Sequence, residues 1–115
     1  MKMSSAGASV KINSSNIHLG EGLPQKVHEK LLQVAGKYFG HLNHAAVGFS
    51  REGHSYCCII NVQVGNYRVL IAEAYAADCH DAFEQALGEI EKQLRRRKHR
   101  MLHADRGHMS MQAHV

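Results

Sequence analysis

The sequence predicts an α+β fold, a single domain of order β-α-β-β-β-α in which a four-stranded sheet carries two helices packed on one face. Three observations predict it. Apolar residues recur at helical spacing in two segments, they alternate at period two in three others behind a less regular first strand, and turn residues separate the runs. A chain of 115 residues has the size of one domain and can bury roughly two thirds of its unfolded surface.

Residues 1–9 are small and polar, with no period that could bury a face, and are expected to form a flexible N-terminal lead. The domain proper is expected over residues 10–100. Its first strand runs from Val10 to Ile17, with Val10 and Ile12 alternating, and enters a loop at Gly20 and Gly22. From Leu23 the spacing becomes helical, with Leu23, Val27, Leu31, Val34 and Tyr38 on one stripe. Pro24 suits a first turn, where its missing amide is no loss, and Gly40 suits a C-terminal cap that requires positive φ.

Ala45 to Arg51, Tyr56 to Val64 and Tyr67 to Ala77 then alternate as an antiparallel meander. The pair Gly65-Asn66 offers a two-residue hairpin between the last two strands. Leu70, Ala72, Ala74 and Ala76 share a face whose small side chains let a helix approach, while Glu73 and Tyr75 face outward. Asp78 is placed to cap the second helix, with Asp81 in its first turn. Phe83, Ala86, Leu87, Ile90 and Leu94 form that helix's buried stripe. Residues 101–115 lack a capable stripe and are expected as a loosely ordered C-terminal tail.

Composition narrows the function. Fourteen Lys and Arg against ten Asp and Glu give a formal net charge of +4, which favours a polyanionic partner. No apolar run approaches the roughly 20 residues needed to cross a bilayer, and no secretory leader is evident, so a cytoplasmic protein without membrane contact is expected. Three cysteines, two of them the adjacent Cys57 and Cys58 that point to opposite faces of a strand, do not suggest a disulfide framework. Ten histidines show no HExxH or CxxC spacing, so no metal and no cofactor is expected. Neither a Cys/His/Asn set nor a GxxxxGK[ST] loop appears, and the expectation is a protein that is not an enzyme.

The densest charge feature is the run Lys92, Arg95, Arg96, Arg97, Lys98 and Arg100. A few cations at a helix C-terminus are favoured by the macrodipole at about 0.3 to 1 kcal/mol each. Six within nine residues repel one another beyond any such need, so an extended polyanion such as RNA is the more economical partner. Lys26, Lys30 and Lys37 of the first helix join this surface if the helices lie side by side.

Several strings, in order, resemble the ribosome hibernation-promoting factors, also known as ribosome-associated translation inhibitors or sigma-54 modulation proteins. They are SSNIHL before the first helix, KYFGHLNHAAV at its end, D-x-x-x-A-F-E from Asp78 to Glu84, and EKQLRRRK from Glu91 to Lys98. The likeness spans roughly Val10 to Arg100 and fits a short form of the family, or the RNA-binding half of a longer protein. It implies a ribosome-associated protein, a monomer when free, that binds the small ribosomal subunit and its rRNA between head and body. It would compete there with mRNA and tRNA and inhibit translation under stress or in stationary phase.

Carried over by position, the rRNA-binding residues are Lys26, Lys30, Lys37, Lys92, Arg95, Arg96, Arg97, Lys98 and Arg100, acting by phosphate neutralisation. The chain departs from the family at Ser14-Ser15, where Gly-Arg is common, at His80, where an aromatic is usual, and at Glu89, a common basic position. The β-β-β-α portion also resembles double-stranded-RNA-binding folds, which leaves a general duplex-RNA binder open. A basic protein-interaction module acting on a transcription factor is the other alternative.

Overall fold

Strand β1 (Ser9–Ser15), helix α1 (Gly22–Phe39), strands β2 (His44–Glu52), β3 (Ser55–Gln63) and β4 (Leu70–Ala76), and helix α2 (Cys79–His114) follow one another in the expected order. The computed structural model describes residues 9–15, 17, 19–20, 22–40, 42–65 and 68–114, with side chains from residue 10 to residue 100. The expected lead, apart from Ser9, lies outside the described residues. The sheet order is β1-β2-β3-β4, with β1 parallel to β2 and the other pairs antiparallel. Parallel pairing of β1 with β2 requires a crossover, and α1 supplies it.

One face of the sheet is covered. Val47 and Phe49 of β2, Ile60 and Val62 of β3, and Leu70 and Ala72 of β4 meet Leu23, Val27 and Leu31 of α1 and Phe83, Ile90 and Leu94 of α2 in a single core. Both helices therefore pack on the same side. The small residues Ala72, Ala74 and Ala76 let α2 sit close against β4, and Phe83 is fully buried over the sheet.

The opposite face is open. Its pairs run Asn61 beside Ile71, Ile59 beside Glu73 and Cys57 beside Tyr75, with Ile71 and Tyr75 about half exposed. Cys57 is nonetheless buried there, because its thiol lies within 3.5 Å of the Glu73 carboxylate and Tyr75 donates to that same carboxylate at 3.1 Å.

Caps form as their residues suggest. The Asp81 amide donates to Asp78 Oδ1 at 2.8 Å and opens α2. At the end of α1, Gly40 adopts φ +78° and its amide donates to the Gly36 carbonyl at 3.1 Å.

Three boundaries differ from the sequence expectation. The first strand ends at Ser15, and Ile17 packs on the core from beyond it. The expected Gly65-Asn66 hairpin falls partly outside the described residues, and the β3–β4 ladder closes at Val62 opposite Leu70. Asn43 holds the end of β3 beside β2, its amide donating to the Gln63 carbonyl and its side chain to the Gly65 carbonyl. The two-residue turn is Gly53-His54, flanked by the pair Glu52 and Ser55, with Gly53 at φ +63°. Lastly, the backbone of α2 continues to His114, where a loosely ordered segment was expected after Arg100. The helix formers Met101, Leu102, Ala104 and Arg106 precede the first glycine, Gly107, so no stop signal falls at Arg100.

Candidate nucleic-acid interface

The basic run straddles Leu94, the last buried position of α2 among the described side chains, and a helix advances about 100° per residue. Those two facts divide its charges. Lys92, Arg95, Arg96 and Arg100 are exposed, whereas Arg97 and Lys98 are partly buried and turned back towards the body of the protein. The exposed four form a ridge along the outer side of α2 (Cys79–His114).

Lys98 has a structural duty. Its Nζ donates to the Tyr38 carbonyl at 2.7 Å, and it lies 5.8 Å from the centre of the Phe39 ring. It therefore satisfies an orphan carbonyl in the last turn of α1, where a cation is favoured by the helix dipole. This is a sharper role than phosphate neutralisation, and it ties the two helices together.

The lysines of α1 lie along the groove between the helices, together with carboxylates. Lys26 pairs with Glu84 at 2.6 Å and Lys37 with Glu91 at 3.2 Å. Lys30 and Lys37 line this groove with Glu84 and Glu91, so its charge is balanced. Glu91 also accepts a hydrogen bond from the Tyr38 hydroxyl at 3.0 Å.

On the other flank of α2 the balance is different. A groove of about 230 Å³ beside Leu70 is lined by Glu89, Gln93, Arg96, Arg97 and Arg100. Three guanidinium groups face a single carboxylate, and that carboxylate has Lys92 within 3.9 Å. Gln93 fixes the groove to the sheet by donating to the Ile71 carbonyl of β4 at 3.0 Å. Glu89 thus lowers the positive charge of this groove without cancelling it.

The sequence brings forward all nine cations as one surface. The structure instead gathers Lys92, Arg95, Arg96 and Arg100 on the ridge, sets Arg97 with Arg96 and Arg100 in the flanking groove, places Lys26, Lys30 and Lys37 among acids, and turns Lys98 inward. The balancing residues Glu84 and Glu91 and the anchor Gln93 carry no local signal, because each acts on an element distant in the chain.

The Glu91 contacts make a pH-dependent link. Its hydrogen bond from Lys37, then that from Tyr38, hold its pKa below the usual value near 4.5 against the opposing effect of burial, and the charges of Lys37 and Arg95 add to this. The unfolded chain therefore takes up the proton first. The stabilisation is fully present above about pH 4.5 and is lost as pH falls through the lower folded value. Thermal unfolding followed between about pH 6 and about pH 3 should show a steeper fall in Tm for the parent chain than for Glu91→Gln. Parallel curves would remove this role from Glu91.

The thiols are held protonated. Burial is the first cause raising Cys57, Cys58 and Cys79, and it pushes Cys58 up to about 12, which is the opposite of what a nucleophilic thiolate needs. Among the described residues, no three His, Cys, Asp or Glu side chains gather in a way that could hold a metal ion, and no helix is long and apolar enough to cross a membrane.

The model of the sigma 54 modulation protein / S30EA ribosomal protein family matches residues 10–102, which takes in the sheet, α1, α2 as far as residue 102 and the whole basic run. The chain belongs to that family. Among curated relatives of this S30EA-family chain, the ribosome hibernation promotion factor of Bradyrhizobium diazoefficiens is 27% identical over 92 residues, covering 80% of this chain and 45% of the relative. That of Rhizobium meliloti is 30% identical over 95 residues, covering 81% and 49%. The chain thus spans about half the length of these curated relatives.

Two solved structures share the family fold. The N-terminal domain of Thermus thermophilus Protein Y superposes with a TM-score of 0.67 at 24% identity, covering 75% of this chain and 93% of that one. A ribosomal subunit interface protein from Coxiella burnetii gives 0.68 at 14% identity, covering 78% and 97%.

Proposed function

We propose that this S30EA-family chain is a non-catalytic ribosome hibernation factor. In this reading it binds the small ribosomal subunit in the mRNA and tRNA channel, excludes both RNAs and so inhibits translation under stress or in stationary phase. The observation that carries the reading is the ridge of Lys92, Arg95, Arg96 and Arg100, exposed along one side of α2 and continued into a groove with three arginines. Exposed guanidinium groups present a planar fork that suits bidentate contact with phosphate, which rRNA offers along its backbone. The names of the curated relatives support the same function.

The test is sedimentation of the purified chain with small subunits through sucrose gradients over a range of salt. Co-sedimentation should weaken steeply, with a log-log slope of roughly 0.7 to 0.9 per phosphate neutralised. Added tRNA and mRNA should displace the chain. A flat salt response, or equal binding to any RNA duplex, would refute the reading. The second outcome would favour a general duplex binder that reads A-form shape.

A further inference from the structure

A cleft of about 430 Å³ lies at the other end of α2 from the arginines, where the ends of β2, β3 and both helices converge. Its volume falls in the usual range for small-ligand sites, roughly 300 to 1,000 Å³. Apolar Ile17 and Leu23 contribute to its lining, with Leu23 fully withdrawn from solvent. Three flat groups, the Tyr56 ring, the Arg51 guanidinium and the His80 imidazole, line the same cleft together with the Asp78 carboxylate.

Two of these groups already lie together in a cation–π contact. The Arg51 guanidinium sits 5.8 Å from the centre of the Tyr56 ring, and its Nε is fixed by donation to the Gly53 carbonyl at 3.3 Å in the tight turn. The terminal nitrogens of Arg51 are left to donate elsewhere. Asp78 commits Oδ1 to the Asp81 amide, which leaves Oδ2 as an acceptor.

A guanidinium beside an aromatic ring, an apolar surface, N–H donors and one carboxylate acceptor suit a planar, uncharged ligand that carries both N–H donors and carbonyl or ring-nitrogen acceptors. The carboxylate argues against a bare anion. We infer that the cleft binds one unstacked nucleobase bearing an exocyclic amine, that is adenine, guanine or cytosine, stacked against the Arg51 and Tyr56 platform with its amine towards Asp78. Bases stack on aromatic rings and guanidinium planes alike, and single-stranded RNA is read in this way.

His80 and Arg96 are sixteen residues apart on α2, roughly 24 Å along its axis at 1.5 Å per residue. One RNA strand several nucleotides long can therefore reach both the cleft and the arginine groove. The base itself is the recognised chemistry, whether it comes from such a strand or from a free nucleotide.

The experiment is an NMR titration of the full chain with AMP, GMP, CMP and UMP, and separately with unstructured tetranucleotides of C and of U. Saturable shifts centred on Arg51, Tyr56 and His80 are expected. UMP, which lacks the amine, should bind at least threefold more weakly than CMP. Tyr56→Leu should weaken binding about tenfold. Arg51→Gln, at an exposed position, provides a second variant if the first disturbs packing. Tighter binding of the C tetranucleotide than of CMP identifies a strand as the source, and equal binding identifies a free nucleotide; both support a base site. The inference is overturned by shifts confined to Arg96 and Arg100, by no saturable response, or by unchanged binding in both variants. No ribosome enters the titration, so its failure would leave the sedimentation result standing.

Discussion

Replacing Arg96 and Arg100 together with Gln is expected to weaken small-subunit binding on the order of a hundredfold, while leaving the thermal midpoint essentially unmoved. The size follows from about 1.5 kcal/mol for each charge-assisted contact, and two such contacts are removed. The unchanged stability follows from exposure, since both side chains lie outside the core on the free flank of α2. The salt dependence carries independent information. Losing two neutralised phosphates should flatten the log-log slope by roughly 1.5. A variant that binds as the parent does would place the RNA contact elsewhere, with the inter-helix lysines the next residues to examine. Arg96 and Arg100 are a better pair for this purpose than any pair including Lys98, whose ammonium already caps α1.

The largest effect on the fold itself is expected from Phe83→Ala. Phe83 is fully buried and lies in the first third of α2, where it joins the helix to the sheet. Truncating a buried phenylalanine to alanine typically costs about 3 to 5 kcal/mol, because lost burial and the remaining cavity add. Single domains are stable by only about 5 to 15 kcal/mol, so much of the margin would go. Urea unfolding should show a midpoint displaced far downward at a similar slope. A loss below about 1 kcal/mol would mean that the helix readjusts to fill the gap. The same variant separates two causes of lost ribosome binding, since a destabilised but folded chain keeps its arginines.

The fold was legible because its signals are local and agree with one another. Period-three-and-four stripes place Leu23 to Tyr38 and Phe83 to Leu94 on helices, and period-two runs place Cys58, Ile60, Val62 and Val64 on one face. All four of those strand residues are buried. What misled was also local. Gly65-Asn66 has the composition of a tight turn, yet the β3–β4 ladder closes at Val62 opposite Leu70, and the Asn43 side chain, some twenty residues earlier, bonds to the Gly65 carbonyl.

The candidate interface was legible in composition but not in arrangement. The run from Lys92 to Arg100 announces cationic chemistry, but the phase that turns Lys98 inward and Arg96 outward depends on where the buried stripe ends. The pairings of Lys26 with Glu84 and Lys37 with Glu91 join residues more than fifty positions apart, and no spacing rule exposes them. The cleft of Arg51, Tyr56, Asp78 and His80 assembles from two strand ends and a helix start, which only the fold brings together.

The Gln93 carboxamide bonded to Ile71 bears on how the molecule behaves at high concentration. β4 is the sheet's terminal strand, and an unoccupied rim invites a stranger's backbone to zip alongside. Here a side chain already occupies one outer carbonyl, and the neighbouring guanidinium groups make a like-charged fence. Two copies approaching rim to rim repel before their strands can align, so crowding should not seed fibres along this border.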